Sequence, residues 1–366
     1  MSSPPGKEKS SPPRGSPKGQ SPTQPTAGGS TQQQEHYLAA DSTESNTDDD
    51  FWDNDTASLM TDTTSLREQI YAQIVENGRR YNANAAGQSE YQFPVDEMEQ
   101  DRLDLMHHIF KTLLHGNLYI SPIGDNPQRI LDIGTGTGIW AIEIADAFPS
   151  AAVIGTDIAP IQPSWVPPNL EFQIDDCEGE WTFGNNTFDF IHIRYLRAAI
   201  SNWPKLYKQA YDALKPGGYF EFQDPELVFY SDDGSLPPDA ALTQYINYFH
   251  EACHKNGKHT RGQPQTVKGE LEKIGFVEVQ EDVRMCPQNP WPRNRHLREL
   301  GRYSLLNLLD GLEGFAMKLF TGILKWQKDE VDIFVMKLKQ EALNKNYHIY
   351  FNYYFISGRK PLDAVL

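Results

Sequence analysis

Arg129-Ile-Leu-Asp132-Ile-Gly134-Thr-Gly136-Thr-Gly138 is a short apolar run that ends on three alternate glycines. Its composition predicts a strand, and 139–148 behind it has helical spacing. Glycines in such a turn let the backbone bend sharply and approach a ligand with no Cβ in the way. A dinucleotide fold would carry GxGxxG here, with a pyrophosphate on the helix N-terminus. This loop is GxGxG, and Asp132 stands two positions before the first glycine. A carboxylate there repels pyrophosphate and suits a ligand carrying an ammonium group. The alternative is a plain strand-to-helix turn.

Downstream, further strands are predicted at 152–157, 170–174, 188–193 and 218–223, with a helix at 205–214. Strands alternating with helices imply a parallel sheet covered on both faces. Asp157 ends the second strand, where a carboxylate can accept both hydroxyls of a ribose; the alternative is a cap on the next turn. Asp175-Asp176-Cys177 follows the third strand, where an acidic residue can accept from an adenine amino group; the alternative is an ordinary acidic turn. Leu214-Lys-Pro-Gly-Gly218 combines a helix stop with a tight strand entry and is structural. Upstream, helices are expected over 66–77 and 96–115, the latter from Leu103, Met106, Phe110, Leu113 and Leu114. Beyond 224 the pattern is mostly helical, with helices at 239–255 and 297–342. A hairpin-like pair closes it, 276–282 and 347–356. The aromatic end, Tyr347, Tyr350, Phe351, Tyr353, Tyr354 and Phe355, alternates as a two-sided strand does; the alternative is an aromatic substrate wall.

The net charge of −17 argues against direct binding to nucleic acid or to an anionic membrane. Cys177, Cys253 and Cys286 are too few and too scattered for a disulfide framework or a zinc site, and they fit a reducing compartment. No apolar run reaches the roughly 18 residues of a membrane span, and no secretory leader pattern is evident. Residues 1–65 are rich in Ser, Pro, Gly, Gln, Thr and Asp and nearly free of branched apolar residues. That composition predicts a disordered tail. Its first part holds Ser-Pro pairs among Lys7, Lys9, Arg14 and Lys18, and its second is acidic around Asp48, Asp49 and Asp50. The Ser-Pro pairs are either proline-directed phosphorylation sites or incidental features of low-complexity sequence.

Together, DIGTGTG, the acidic end of the second strand, DDC and LKPGG resemble a class I S-adenosylmethionine-dependent methyltransferase. FPVDEMEQDRLDLMHHIF (93–110), WPKLYKQAYDALKPGGYFEFQD (203–224), NPWPRN (289–294) and YFISGRKP (354–361) resemble, more narrowly, the fungal LaeA-like methyltransferases, which include velvet-associated regulators of secondary metabolism and development. The resemblance covers 66–361. It implies an α/β fold with a seven-stranded Rossmann-like sheet, strand order 3-2-1-4-5-7-6, with the last strand antiparallel. It implies a cofactor core over about 127–224 and a helical cap with C-terminal strands over about 225–361.

The implied cofactor is S-adenosylmethionine. Gly134, Gly136 and Gly138 would wrap its methionine part, with Asp132 beside its amino group. Asp157 would take the ribose, with Ile158 near the adenine and Asp176 and Cys177 at the adenine edge. Backbone around Arg194 would close the methionine side, and Tyr91 and Arg102 would belong to a lid. The implied setting is the nucleus and cytoplasm, with velvet-type or other protein partners. No metal is implied. The rival readings are a biosynthetic small-molecule methyltransferase and a cofactor-binding scaffold with weak catalysis. His107, His192, His250, His254 and His348 are candidate bases; a histidine in such a fold is more often structural, and no catalytic base is assigned.

Overall fold

The computed structural model describes residues 72–83, 91–260 and 263–364. The tail predicted over 1–65 lies outside these, as does the start of the helix predicted over 66–77. The described end of that helix is instead a strand. β1 (Gln73–Glu76) pairs antiparallel with β2 (Arg79–Asn82). Asn77 and Gly78 turn between them with φ of 52° and 84°. An Asn-Gly pair in the left-handed region is the turn that matches the twist of a two-residue hairpin, so the turn chemistry overrides the helical spacing. α1 (Glu97–Leu113) follows, capped by Asp96, whose side chain accepts from the Glu99 amide.

The main sheet holds β3 (Arg129–Ile133), β4 (Ala152–Asp157), β5 (Leu170–Ile174), β6 (Phe188–Arg194), β7 (Leu214–Pro225), β8 (Val277–Pro287) and β9 (Tyr350–Arg359), in the order β5-β4-β3-β6-β7-β9-β8. β3 to β7 are parallel, and β9 runs antiparallel between β7 and β8. This is the order that the resemblance implied. The closing pair β8–β9 is antiparallel as expected, but helices separate its strands in sequence.

Period-two alternation sorts the sheet into two cores. Ile130, Val153 and Phe190 pack under α2 (Ile139–Ala147), with Trp140 and Ile144. Leu131, Ile133, Ile191 and Ile193 face α3 (Trp203–Ala213) and α5 (Gln263–Ile274), a helix the sequence reading missed. A third core joins α1 to α4 (Ala241–Lys255), α6 (Arg295–Lys318), the π-turn Leu319–Ile323 and α7 (Lys328–Ala342). The single helical stretch expected over 297–342 is thus two helices, divided at the π-turn. Phe351, Tyr353 and Phe355 of β9 point into this cap core, while Tyr354 and Ile356 point into the α3 and α5 side.

Two of the distinctive motifs hold this frame. Buried Lys360 gives its ammonium to the Leu214 carbonyl at 2.7 Å, and its backbone pairs with Gly217 and Gly218, closing the LKPGG turn. In NPWPRN, the Asn289 amide donates to the carbonyls of Asn344 and Tyr347, and Trp291 Nε1 donates to Ile349 O. Gly301 of α6 lies against the Asn289 carbonyl so closely that a Cβ would overlap it. The motif thereby docks α6 onto the ends of β8 and β9.

Candidate functional site

One cavity opens at the carboxyl edge of the parallel strands, under the cap. This is the edge where open α/β sheets bind ligands, because strand ends and helix starts leave backbone groups free there. Gly134, Gly136, Asp157, Ile158, Asp176, Cys177 and Arg194 all line it, as do Tyr91 and Arg102. The structure therefore brings together seven of the nine candidate cofactor residues and both lid residues.

The other two candidates stand behind the wall. Asp132 was expected beside an ammonium group, but it is buried beneath the loop. Its carboxylate accepts from Thr135 Oγ at 2.6 Å and pairs with His192 Nδ1 at 2.8 Å. His192 in turn stacks flat on Trp140, with ring centroids 3.8 Å apart. Asp132 thus ties the glycine loop to β6. Gly138 caps α2 with φ of 81°, and a Cβ there would overlap the Phe172 ring, so it serves the packing of α2 on β5.

The two lining glycines differ. A Cβ on Gly134 would overlap Leu196. A Cβ on Gly136 would meet only Leu103, at 3.6 Å, an ordinary contact. Gly136 is demanded by its φ of 59° and by the cavity that its backbone faces. Its amide donates to Asp157 Oδ2 at 2.8 Å, and its carbonyl accepts from Gln162 Nε2 at 2.6 Å. Asp157 Oδ1 accepts from the Ala159 amide at 2.9 Å. Burial pushes the Asp157 carboxyl above the ordinary range, and these backbone bonds oppose the shift. The two carboxylate oxygens carry four lone pairs between them, so acceptor capacity remains for a hydroxyl in the cavity.

The N-terminal elements close over this end. Asn82 of β2 donates to the Ile158 carbonyl at 2.7 Å, and Thr137 of the loop donates to Asp104 of α1 at 2.7 Å. Buried Arg102 makes a two-pronged pair with Glu99, at 2.8 and 2.6 Å, and its third nitrogen donates to Asn307 of α6 at 2.8 Å. The pair therefore fastens the lid helix to the cap. Burial works against the Arg102 charge, but Glu99 with Tyr195 and Tyr91 together outweigh it, and its pKa is raised.

A methyltransferase-domain family matches residues 105–281. Methyltransferase pytC of Aspergillus terreus is 38% identical over 312 residues, covering 84% of this chain and 95% of its own. The secondary metabolism regulator LAE1 of Cochliobolus heterostrophus is 36% identical, covering 78% of this chain and 94% of its own. The protein-methionine methyltransferase laeA of Emericella nidulans is 33% identical, covering 83% and 80%. The chain belongs to the LaeA-like methyltransferases.

In this LaeA-like methyltransferase none of the five candidate histidines lines the cavity. His107 accepts from Arg194 at Nδ1, and burial with the Arg194 charge draws its pKa down to about 4, so it stays neutral. His250 is held between Thr260 Oγ at 2.6 Å and the Leu227 carbonyl at 3.0 Å. His254 lies against His259, and His348 pairs with Asp233.

The half of the cavity away from the glycine loop is aromatic, with Phe93, Tyr245, Phe249, Phe315, Phe351 and Tyr353. β9 is the two-sided strand that its alternation predicts, and two of its rings, Phe351 and Tyr353, line the cavity. Sequence reasoning missed Arg197 and Asp224, the charged pair in this half. Their only sequence signal is their place just past the end of β6 and near the end of β7. Tyr195, between Arg194 and Leu196, has φ of 60° and also lines the cavity. A non-glycine residue in that region is held there by its surroundings.

Proposed function

We propose that this protein binds S-adenosylmethionine along Gly134, Gly136, Asp157, Ile158, Asp176, Cys177 and Arg194 and directs its methyl group to an acceptor held in the same cavity. When bound, the cofactor supplies a methyl group already activated on a sulfonium, so the protein's part is position and a dry site. The carrying observation is the cavity itself. Its glycine-loop end has room beside Gly136 and free lone pairs on Asp157, and its far end is aromatic and free of histidine. Acceptors whose lone pair attacks without prior loss of a proton, such as a thioether or a neutral amine, fit that far end, and aromatic faces favour the cation formed on methylation. The relative named a protein-methionine methyltransferase agrees with a thioether. Loss of Asp157 in Asp157→Ala should weaken cofactor binding by about 10- to 150-fold, the worth of a charge-assisted acceptor. Unchanged affinity by calorimetry would refute the ribose assignment.

We further propose that the protein acts as a regulator of secondary metabolism and development, with velvet-type or other protein partners, in the nucleus and cytoplasm. The support is the LAE1 and laeA relatives across most of the chain. The relative named simply as a methyltransferase supports a second reading, an enzyme for one small natural product. A deletion strain and a Gly136→Val strain separate these two and the scaffold reading. Broad transcript changes in both strains support the regulatory methyltransferase. Broad changes in the deletion alone support a scaffold. One accumulating unmethylated precursor with a normal transcriptome supports the small-molecule enzyme.

A further inference from the structure

Arg197 and Asp224 sit side by side at the carboxyl edge of the sheet, three residues past the end of β6 and one before the end of β7. Both line the cavity, and their side chains are 2% and 3% exposed. The Arg197 amide donates to Asp224 Oδ2 at 3.1 Å. The guanidinium nitrogen nearest the carboxylate is 3.7 Å from Oδ1, which is attraction without a hydrogen bond. Nε, Nη1 and Nη2 of Arg197 have no acceptor in the protein among the described residues. A buried guanidinium with idle donors is costly, so the position calls for an acceptor atom from outside the chain.

The surrounding charge narrows what that atom belongs to. Asp224 and Glu226 both act on Arg197. Glu226 is itself buried, and its carboxylate accepts from the Tyr230 hydroxyl at 2.8 Å. One carboxylate thus already faces the guanidinium and a second buried one follows two residues later, so an incoming anion would add a further negative charge. A neutral carbonyl oxygen meets no such repulsion. Asp224 meanwhile presents lone pairs beside the guanidinium donors. A donor next to an acceptor is the complement of a group with C=O and N–H on the same side. A trans peptide bond points these in opposite directions, whereas a primary carboxamide or a lactam presents them together.

We propose that Arg197 and Asp224 receive a carboxamide or lactam edge of the methyl acceptor, with Arg197 donating to its carbonyl and Asp224 accepting from its N–H. This rests on the cofactor reading above, because it assigns the other half of the same cavity. The aromatic walls then hold the apolar remainder.

The test uses the full-length protein loaded with S-adenosylhomocysteine and four probes titrated by NMR: 2-phenylacetamide, isoquinolin-1(2H)-one, N-methyl-2-phenylacetamide and phenylacetate. The two same-side amides should bind about tenfold tighter than the trans amide and the carboxylate, a loss typical of one unmade buried hydrogen bond. Arg197→Met and Asp224→Leu, which remove the donor and the acceptor respectively, should each erase that preference while leaving the affinity for S-adenosylhomocysteine unchanged. Arg197→Lys, which keeps the charge without the planar fork, should retain part of it. Preference for phenylacetamide over the lactam points to an open-chain carboxamide, and the reverse to a ring; either supports the proposal. Tighter binding of phenylacetate would overturn it in favour of an anion site. Loss of S-adenosylhomocysteine affinity in Arg197→Met with amide binding intact would overturn it in favour of the cofactor carboxylate. Equal binding of all probes in folded wild type and variants would make Arg197 structural. Failure of the wild type to bind S-adenosylhomocysteine would strike the cofactor reading alone, since the probes are also titrated into the unloaded protein.

Discussion

Replacing Gly136 with valine is expected to abolish binding of S-adenosylmethionine while the protein remains folded. The structure separates two costs in this substitution. The protein itself has room for a Cβ, whose nearest neighbour is Leu103 at 3.6 Å. The backbone, however, sits at φ of 59°, where a β-branched side chain is strained by about 1–3 kcal/mol. If the loop relaxes, the Gly136 amide leaves Asp157 and the carbonyl leaves Gln162, so the loop and the Asp157 carboxylate shift together. If it does not relax, the branched side chain occupies space over the cavity. Gly136→Ala is the graded control, with the same φ problem and less bulk. Calorimetry with circular dichroism checks both; a folded valine variant with normal affinity would remove the loop from the site. Gly134→Ala probes a different constraint, because there the added methyl meets Leu196 of the protein rather than the cavity.

Glu99→Gln is expected to lower stability by about 3–5 kcal/mol, the usual result of removing one partner of a buried ion pair. Glu99 and Arg102 are both buried, and the pair carries two of the hydrogen bonds that satisfy the guanidinium. Glutamine keeps the shape and one acceptor oxygen, but it leaves a buried positive charge uncompensated and sets its amide N–H against a guanidinium N–H. The double variant Glu99→Gln/Arg102→Met removes the stranded charge and should recover much of the loss, since apolar replacement of a whole buried pair is often near neutral. A denaturant series that finds Glu99→Gln as stable as wild type would show that the pair is not what fastens α1 to α6. Cofactor affinity should fall in the single variant as well, because Arg102 and Glu99 stand in the cavity wall between the lid and the cap.

Much of the fold is local in origin and was therefore legible. A strand such as β3 needs only an apolar run and a breaker, and Arg129–Ile133 has both within ten residues of its helix. The β1–β2 hairpin also carries a local signal, the Asn77-Gly78 pair at its turn, which helical spacing in the neighbouring residues masks. α5 was missed because its twelve residues are mostly polar and its apolar stripe is thin, with Val267 and Leu271 buried and Ile274 packed beside them.

The site divides along the same line. Gly134, Gly136, Asp157, Asp176 and Arg194 follow from sequence because each stands at a strand end, and parallel strands bring their carboxyl ends to one edge without further information. What Asp132 and Gly138 do was decided by tertiary structure. A carboxylate beside a glycine loop looks the same in sequence whether it faces a ligand or a buried histidine sixty residues away. Arg197 and Asp224 lay beyond sequence reading for a related reason. An arginine is ordinarily a solvated charge, and only the packing of the cap over the sheet makes this one buried, idle at three nitrogens and placed on a cavity wall. Sequence by itself determined the sheet, its glycine turn and the family, because those depend on neighbours along the chain. Tertiary structure alone decided which charges face the cavity, because burial and pairing depend on residues that are distant in sequence and adjacent only once the cap has closed.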